Sequence, residues 1–283
     1  MPRPVAAYPP ALADPLSRRP RRWRSLFLSD LHLGTSRGKP GHVTDFLDHA
    51  EADAIFLVGD IFDGWIPSAR RSKPLPDHRL LLDRLERFAA DGTRVVLVPG
   101  NHDASFRRLS GQTIGPMQVC EETHHVLADG RRMLVTHGDS VDPLMALGHS
   151  VGWAGGKLDI LIRKGNRGLN ALRETYGLGA SPWVEAQLMR VNSALHPRDT
   201  YATRLTTRAR DLGFDGVICG HYHIPALADF GGITYANCGD WLDHFSAVTE
   251  TAEGVLQLVR WPEPVAEAAA ARNRMPGRGV PAA

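Results

Sequence analysis

"VVLVPGNHDAS", residues 95–105, is the stretch on which the reading of this chain turns. Val95 to Val98 are apolar and mostly β-branched, the composition of a buried strand, and Pro99-Gly100 closes the strand as a turn. Asn101, His102 and Asp103 follow at once. Three polar side chains at the lip of a buried strand can cap the next helix, or they can belong to a site. The rest of the chain separates the two.

Four other short apolar runs end in the same way: "SLFLSDLH" (25–32), "AIFLVGD" (54–60), "RMLVTHGD" (132–139) and "GVICGHYH" (216–223). Helical patterns lie between the early ones, "HVTDFLDHA" (42–50) and "DHRLLLDRLERFAADGT" (77–93), the latter closed by Gly92 just past its end. Strand and helix therefore alternate through residue 103, which predicts an α/β sheet. From about 142 to 211 the pattern is helical without a clear strand, and "SPWVEAQLMRVNSAL" (181–195) opens with Ser181 as N-cap and Pro182 in the first turn. Residues 144–211 carry ten Lys or Arg against five acids, a basic balance. After 223, "ITYANCGDW", "FSAVTET" and "GVLQLVRW" alternate like antiparallel strands that finish a sheet.

The 283 residues are 43% hydrophobic and 23% charged, enough to bury a sizeable core as one large domain or two small ones. A net charge of +2 gives no case for a nucleic-acid binder. Cys120, Cys219 and Cys238 are widely spaced and form no CxxC, so neither a disulfide framework nor a thiolate zinc site is implied, and a reducing cytoplasm fits. No apolar run approaches the ~18 residues of a membrane span. The N-terminus, Pro-rich and then Arg-rich, is a poor signal peptide and reads as a disordered leader over 1–24, with the folded domain over 25–261 and a flexible tail over 262–283.

In an open α/β sheet, side chains just past the carboxyl ends of neighbouring strands converge on one crevice. If the five runs are neighbours, Asp30, His32, Asp60, Asn101, His102, His137, His221 and His223 face the same space. This oxygen and imidazole set, free of thiolate, suits manganese, iron or zinc. Seven ligands exceed what one ion takes but can hold two if a carboxylate is shared, and Asp60 is the natural bridge. A pair of ions about 3.5–4 Å apart generates hydroxide and clamps the oxygens of a phosphoryl displacement.

The order "SDLH … GDIFD … GNHD … THGD … GHYH", residues 26–223, resembles the calcineurin-like metallophosphoesterases. The resemblance implies a sandwich of two mixed β-sheets flanked by helices around a dimetal centre, most often loaded with manganese, iron or zinc. By motif, Asp30, His32, Asp60 and His223 would hold one metal, and Asp60, Asn101, His137 and His221 the other. His102 would protonate the leaving oxygen or steady the phosphoryl group, oriented by Asp103, and Asn101 and His102 would both face substrate.

The flanks "VGDIFDGW", "HGDSVDP" and "YANCGDWLDH", with the helical insert, are similar to bacterial UDP-2,3-diacylglucosamine diphosphatases. Those enzymes split the pyrophosphate of a nucleotide-linked lipid into UMP and a lipid monophosphate at the inner face of the cytoplasmic membrane. A helical lid there receives the acyl chains. The insert over about 142–211 would be that lid, with Leu158, Ile160, Leu161, Ile162, Leu169, Leu172, Trp183, Leu188 and Met189 along an acyl slot. Arg163, Lys164 and Arg167 would meet the diphosphate or anionic headgroups. One departure stands out: His102 occupies the position where the best-defined diphosphatases carry Arg. Two other readings are open, a phosphoesterase for nucleotide diesters, phosphomonoesters or phosphoproteins, and a non-catalytic scaffold on the same fold.

Asp63, Asp139 and Asp240 either orient metal-binding side chains or cap turns. Cys219 and Cys238 read as small core residues. His42, His49, His78, His124, His125, His149, His196 and His244 lie off the strand ends and read as surface or capping residues.

Overall fold

A computed structural model describes residues 21–67, 73–146 and 198–261. The chain divides into two compact units, Met1–His137 with Phe214–Ala283, and Gly138–Gly213. The first holds two mixed sheets. Its seven-stranded sheet runs β12-β11-β1-β2-β3-β5-β4, with β1 at Arg21–Leu28, β2 at Ala50–Val58, β3 at Arg94–Val98, β4 at Thr113–Ile114, β5 at Met117–Val119, β11 at Ser246–Glu250 and β12 at Leu256–Arg260. The five-stranded sheet runs β6-β7-β8-β10-β9, with β6 at Thr123–Val126, β7 at Arg132–Val135, β8 at Gly216–Cys219, β9 at Ala226–Asp229 and β10 at Thr234–Asn237.

The central strands are apolar on both faces, as strands covered on both sides must be. Leu26, Leu28, Ile55, Leu57, Val95 and Leu97 share one cluster with Val43, Phe46 and Leu47 of α1 (Pro40–Asp48) and with Leu81 and Leu85 of α2 (Pro76–Ala90). The alternating residues Phe27, Phe56, Val58, Val96 and Val98 share the other with Met133, Val135, Ile218 and Ala236 of the five-stranded sheet. A slip of one residue in any of these strands would exchange the two sets. Phe27 and Phe56 stack across β1 and β2 with ring centroids 4.8 Å apart.

Glu250 is fully buried on β11 and joins the sheets. It accepts Arg24 Nη1 at 2.5 Å, pairs with His125 Nε2 of β6 at 2.6 Å, and accepts the Ala128 N–H at 2.8 Å. Burial alone would raise its carboxyl, but these partners, with Ser25, bring it down from 4.5 to about 2. A depressed carboxyl stabilises the fold above its unfolded value and loses that contribution as pH falls toward the folded one. Glu250→Gln is therefore expected to cost roughly 2–3 kcal/mol at neutral pH, with most of the gap to the parent closing near pH 3. Urea unfolding at the two pH values checks this; an equal gap at both would show that the charge is not what matters.

The two mixed sheets are those the resemblance implies, with the motif runs divided between them: β1, β2 and β3 are parallel neighbours in one, β7 and β8 in the other. Two expectations change. β1 begins at Arg21, so residues 21–24, expected in the leader, belong to that strand. The last three segments finish both sheets, since β10 pairs with β8 in parallel while β11 runs antiparallel to β1. In the second unit, Gly138 in the left-handed region precedes a 3-10 turn at Asp139–Val141, followed by α3 (Pro143–Ala146) and α4 (Arg198–Asp211). Arg204 of α4 donates to the Val141 carbonyl at 3.3 Å. The acyl-slot residues, the helix expected at 181–195, Arg163, Lys164 and Arg167 lie outside the described residues, as do the tail and residues 1–20 of the leader.

Candidate metal centre

The loops that leave β1, β2, β3, β7 and β8 bring the expected side chains together at one end of the sandwich. Donor atoms of Asp30, His32 and His223 lie within 4.8 Å of one another, as do those of Asp30, Asp60 and His137, and those of His32, Asp60 and His102. Asp60 Oδ2 stands 3.4 Å from His137 Nε2 and 3.9 Å from His32 Nε2, while Oδ1 accepts the His102 N–H at 2.8 Å. His223 Nε2 is 3.2 Å from Asp30 Oδ1 and 3.3 Å from His32 Nε2. His221 falls outside these groups; its ring centroid is 5.3 Å from that of His137, and its N–H donates to Asp30 Oδ2 at 3.0 Å. Asn101 is half-buried, with a buried Oδ1.

The backbone is bent to serve this convergence. Asp30, His32, Asp60, His221 and His223 have φ between 45° and 71°, and among the described non-glycine residues only Phe245 joins them in that region. Each such residue costs about 1–2 kcal/mol, so it persists where the surroundings dictate it. Two motif glycines are required by space. A Cβ on Gly100 would collide with Asp60 Oδ1, and one on Gly220 with Ser29 Oγ and Asp30 Oδ2.

The ring nitrogens are sorted by their far-side partners. His137 Nδ1 donates to the Val58 carbonyl at 2.9 Å, and His32 Nδ1 faces Asp63 Oδ1 at 3.2 Å. A hydrogen on Nδ1 leaves the Nε2 lone pair for the centre. Asp30 Oδ2 is taken by the Ser29 hydroxyl and the His221 N–H, whereas Asp30 Oδ1 and Asn101 Oδ1 are buried with no hydrogen bond of proper geometry. A buried Asp30 oxygen left open beside the Nε2 atoms of His223 and His32 fits a divalent cation, as does the oxygen and nitrogen donor set. Burial would raise Asp60, but His137, then His32 and His102, hold it well below the usual carboxylate range; against the same effect of burial, His223 and then His137 lower Asp30.

His102 is half exposed, and its Nδ1 faces Asp63 Oδ2 at 3.1 Å. That bond, against the opposing effect of burial, lifts its pKa to about 9. Its orienting carboxylate is thus Asp63, not Asp103 as the resemblance implied. Asp103 points into the protein, where Oδ1 accepts the Gly100 N–H at 2.6 Å and Oδ2 the Ile61 N–H at 2.8 Å, fastening the two motif loops to each other. His78, set aside by position, is buried: it takes the Leu75 N–H on Nδ1 at 3.1 Å and reaches the Leu33 carbonyl with Nε2 at 2.8 Å, fixing the loop after His32. His42 is likewise buried, stacked on Phe245 at 4.7 Å, and His125 pairs with Glu250. His78 lies at i, i+3, i+7 spacing with Leu81 and Leu85, the signal that marks it as inward-facing.

The profile of the calcineurin-like phosphoesterase family matches residues 24–225. A UDP-2,3-diacylglucosamine hydrolase of Salmonella arizonae is 31% identical over 126 residues, 41% of this chain and 48% of that protein. The chain thus spans about half the length of such relatives in the matched region. The hydrolase of the same name from Edwardsiella ictaluri is 25% identical over 275 residues, covering 86% of this chain and 94% of its own. Among solved structures, the phosphoesterase Yfce of E. coli shows 13% identity and a TM-score of 0.39 over 84% of this chain and 99% of its own. The family match takes in every motif from Asp30 to His223, and the chain belongs to the calcineurin-like phosphoesterases.

Proposed function

We propose that this chain is a dimetal-dependent phosphohydrolase that cleaves the pyrophosphate of UDP-2,3-diacylglucosamine, or of a similar nucleotide-linked lipid, into UMP and a lipid monophosphate. One observation carries the hydrolase reading: five of the seven expected ligands adopt left-handed backbone, and of these Asp30, His32, Asp60 and His223 bring donor atoms into groups within 4.8 Å. The substrate reading rests on the two named relatives, which share modest identity with the chain.

Asp30, His32, Asp60 and His223 would hold one divalent ion, and Asp60, Asn101, His137 and His221 the other. Bound there, the pair supplies a hydroxide nucleophile at neutral pH and offsets charge on the phosphoryl oxygens. The chain's own residues do the rest. Water adds to one phosphorus while the P–O bond to the bridging oxygen breaks. The His102 imidazolium, held by Asp63, delivers a proton to that departing oxygen. Asp103 keeps the two loops at fixed spacing through the Gly100 and Ile61 N–H groups. Arg163, Lys164 and Arg167 are proposed to meet the diphosphate or anionic lipid, and the insert to receive the acyl chains. Among the described residues no helix is long and apolar enough to cross a membrane. Access to such a lipid is proposed to be peripheral, from the cytoplasmic face, as the resemblance implies. Manganese is the proposed metal, with iron and zinc as the other candidates for this donor set.

His102 favours a second reading, a phosphoesterase for nucleotide diesters, phosphomonoesters or phosphoproteins, since the best-defined diphosphatases carry Arg there. A product assay with manganese separates the two. Detergent-dispersed UDP-2,3-diacylglucosamine is expected to give UMP, at a rate well above that for bis-p-nitrophenyl phosphate. Turnover of the water-soluble esters alone would overturn the lipid assignment and leave the hydrolase reading standing.

A further inference from the structure

Three of the imidazoles in the centre have an acceptor behind Nδ1. For His32 it is Asp63, for His137 the Val58 carbonyl. For His223 it is the facing carboxylate of Asp240, a residue of the "NCGDW" turn after β10, with Oδ2 at ion-pair distance, 3.6 Å from His223 Nδ1. Asp240 is buried, and the turn around it is closely fastened. Its Oδ1 accepts the N–H groups of Leu242 (2.9 Å), Asp243 (2.7 Å) and His244 (3.0 Å). Oδ2 is also met by His244 Nδ1 at 2.8 Å, which holds the carboxylate plane from the other side. The next residue, Trp241, donates its N–H to the Asp30 carbonyl at 3.1 Å, so the same turn braces the loop that carries Asp30.

We infer that Asp240 is a positioning residue that holds His223 in the tautomer able to ligate a metal, with His244 steadying the carboxylate. A carboxylate facing Nδ1 keeps the hydrogen there and leaves Nε2, which stands 3.2 Å from Asp30 Oδ1, with a lone pair toward the centre. The inference rests on the assignment of His223 as a ligand made above.

Asp240→Asn tests it with little change of shape. The three turn N–H groups fix the amide oxygen at the Oδ1 place, because an NH2 there would face three donors. The NH2 must then stand at the Oδ2 place and donate toward His223 Nδ1. An imidazole that accepts at Nδ1 carries its hydrogen on Nε2, the wrong nitrogen for a metal.

The readout is Mn2+ binding, followed by electron paramagnetic resonance of the free ion, on the full chain and on Asp240→Asn, His223→Ala and the double variant, with melting temperatures alongside. The parent is expected to bind two ions and His223→Ala one. Asp240→Asn should weaken one of the two ions about 10–100-fold. In the His223→Ala background it should weaken nothing further, since toward the metals a residue that acts through His223 has nothing left to act on. Two ions at parental affinity in Asp240→Asn would overturn the inference. So would a further loss of the remaining ion in the double variant, because that marks a general structural role. Two tightly bound ions in His223→Ala would instead remove the ligand assignment beneath it.

Discussion

Asp60→Ala is expected to empty the whole centre rather than half of it. Asp60 Oδ2 stands 3.4 Å from His137 Nε2 and 3.9 Å from His32 Nε2, one expected ligand of each ion. Alanine removes that atom, and it also takes away the Oδ1 acceptor that anchors the His102 N–H. Loss of a supporting partner behind one ligand already costs 10–100-fold in affinity or activity, so losing the shared ligand should reduce turnover by more than about 10³-fold. Elemental analysis of the purified variant should find neither ion, while circular dichroism stays that of the parent. Full occupancy in Asp60→Ala would contradict the bridging role outright. Loss of one ion only would place Asp60 in a single coordination sphere.

His102→Ala should behave differently. Its ring is half exposed, packs edge-on against His32 at 4.7 Å, and is turned by Asp63 so that Nε2 is left to face outward from that bond. If it serves as the acid, turnover of a substrate with a poor leaving group falls about 10²–10⁴-fold. Both ions should remain. With p-nitrophenyl phosphate, whose leaving group departs without a proton, the loss should be far smaller. One ring nitrogen of His102 also lies within 4.8 Å of donor atoms on His32 and Asp60, so the metal count decides between acid and ligand. A variant holding a single ion, with equal losses on both substrates, would make His102 a ligand.

What could be read from the sequence was local. Each apolar run followed by Asp, His or Asn became a strand with its polar residues at the carboxyl end, because strand hydrophobicity and turn chemistry are encoded within a few residues. Which sheet a strand joins is not encoded that way. Periodicity gives the face a residue occupies, not the partner of the strand, and β11 could cross to β1 without leaving a mark in "FSAVTET". The same limit explains the exchange of Asp103 for Asp63. The motif sets Asp103 next to His102, but the turn at Gly100 sends Asp103 inward to backbone N–H groups, and the carboxylate that reaches His102 comes from 39 residues away. His78 and His42 obey a different signal. Distance from a strand end says nothing of their burial, whereas the helical stripe shared with Leu81 or with Phe46 marks them as inward-facing.

The donors of this centre come from both layers of the sandwich, the earliest at residue 30 and the last at 223. During synthesis, a nascent chain that stops short of the GHYH loop therefore offers stray imidazoles and carboxylates but no complete cage. Cations captured before that moment would be held by solvent-exposed fragments and readily exchanged. Once the layers close, an ion bridging them favours the closed form by an amount that grows with the logarithm of its concentration, and chelators should loosen the seam between the layers before they disturb either one alone.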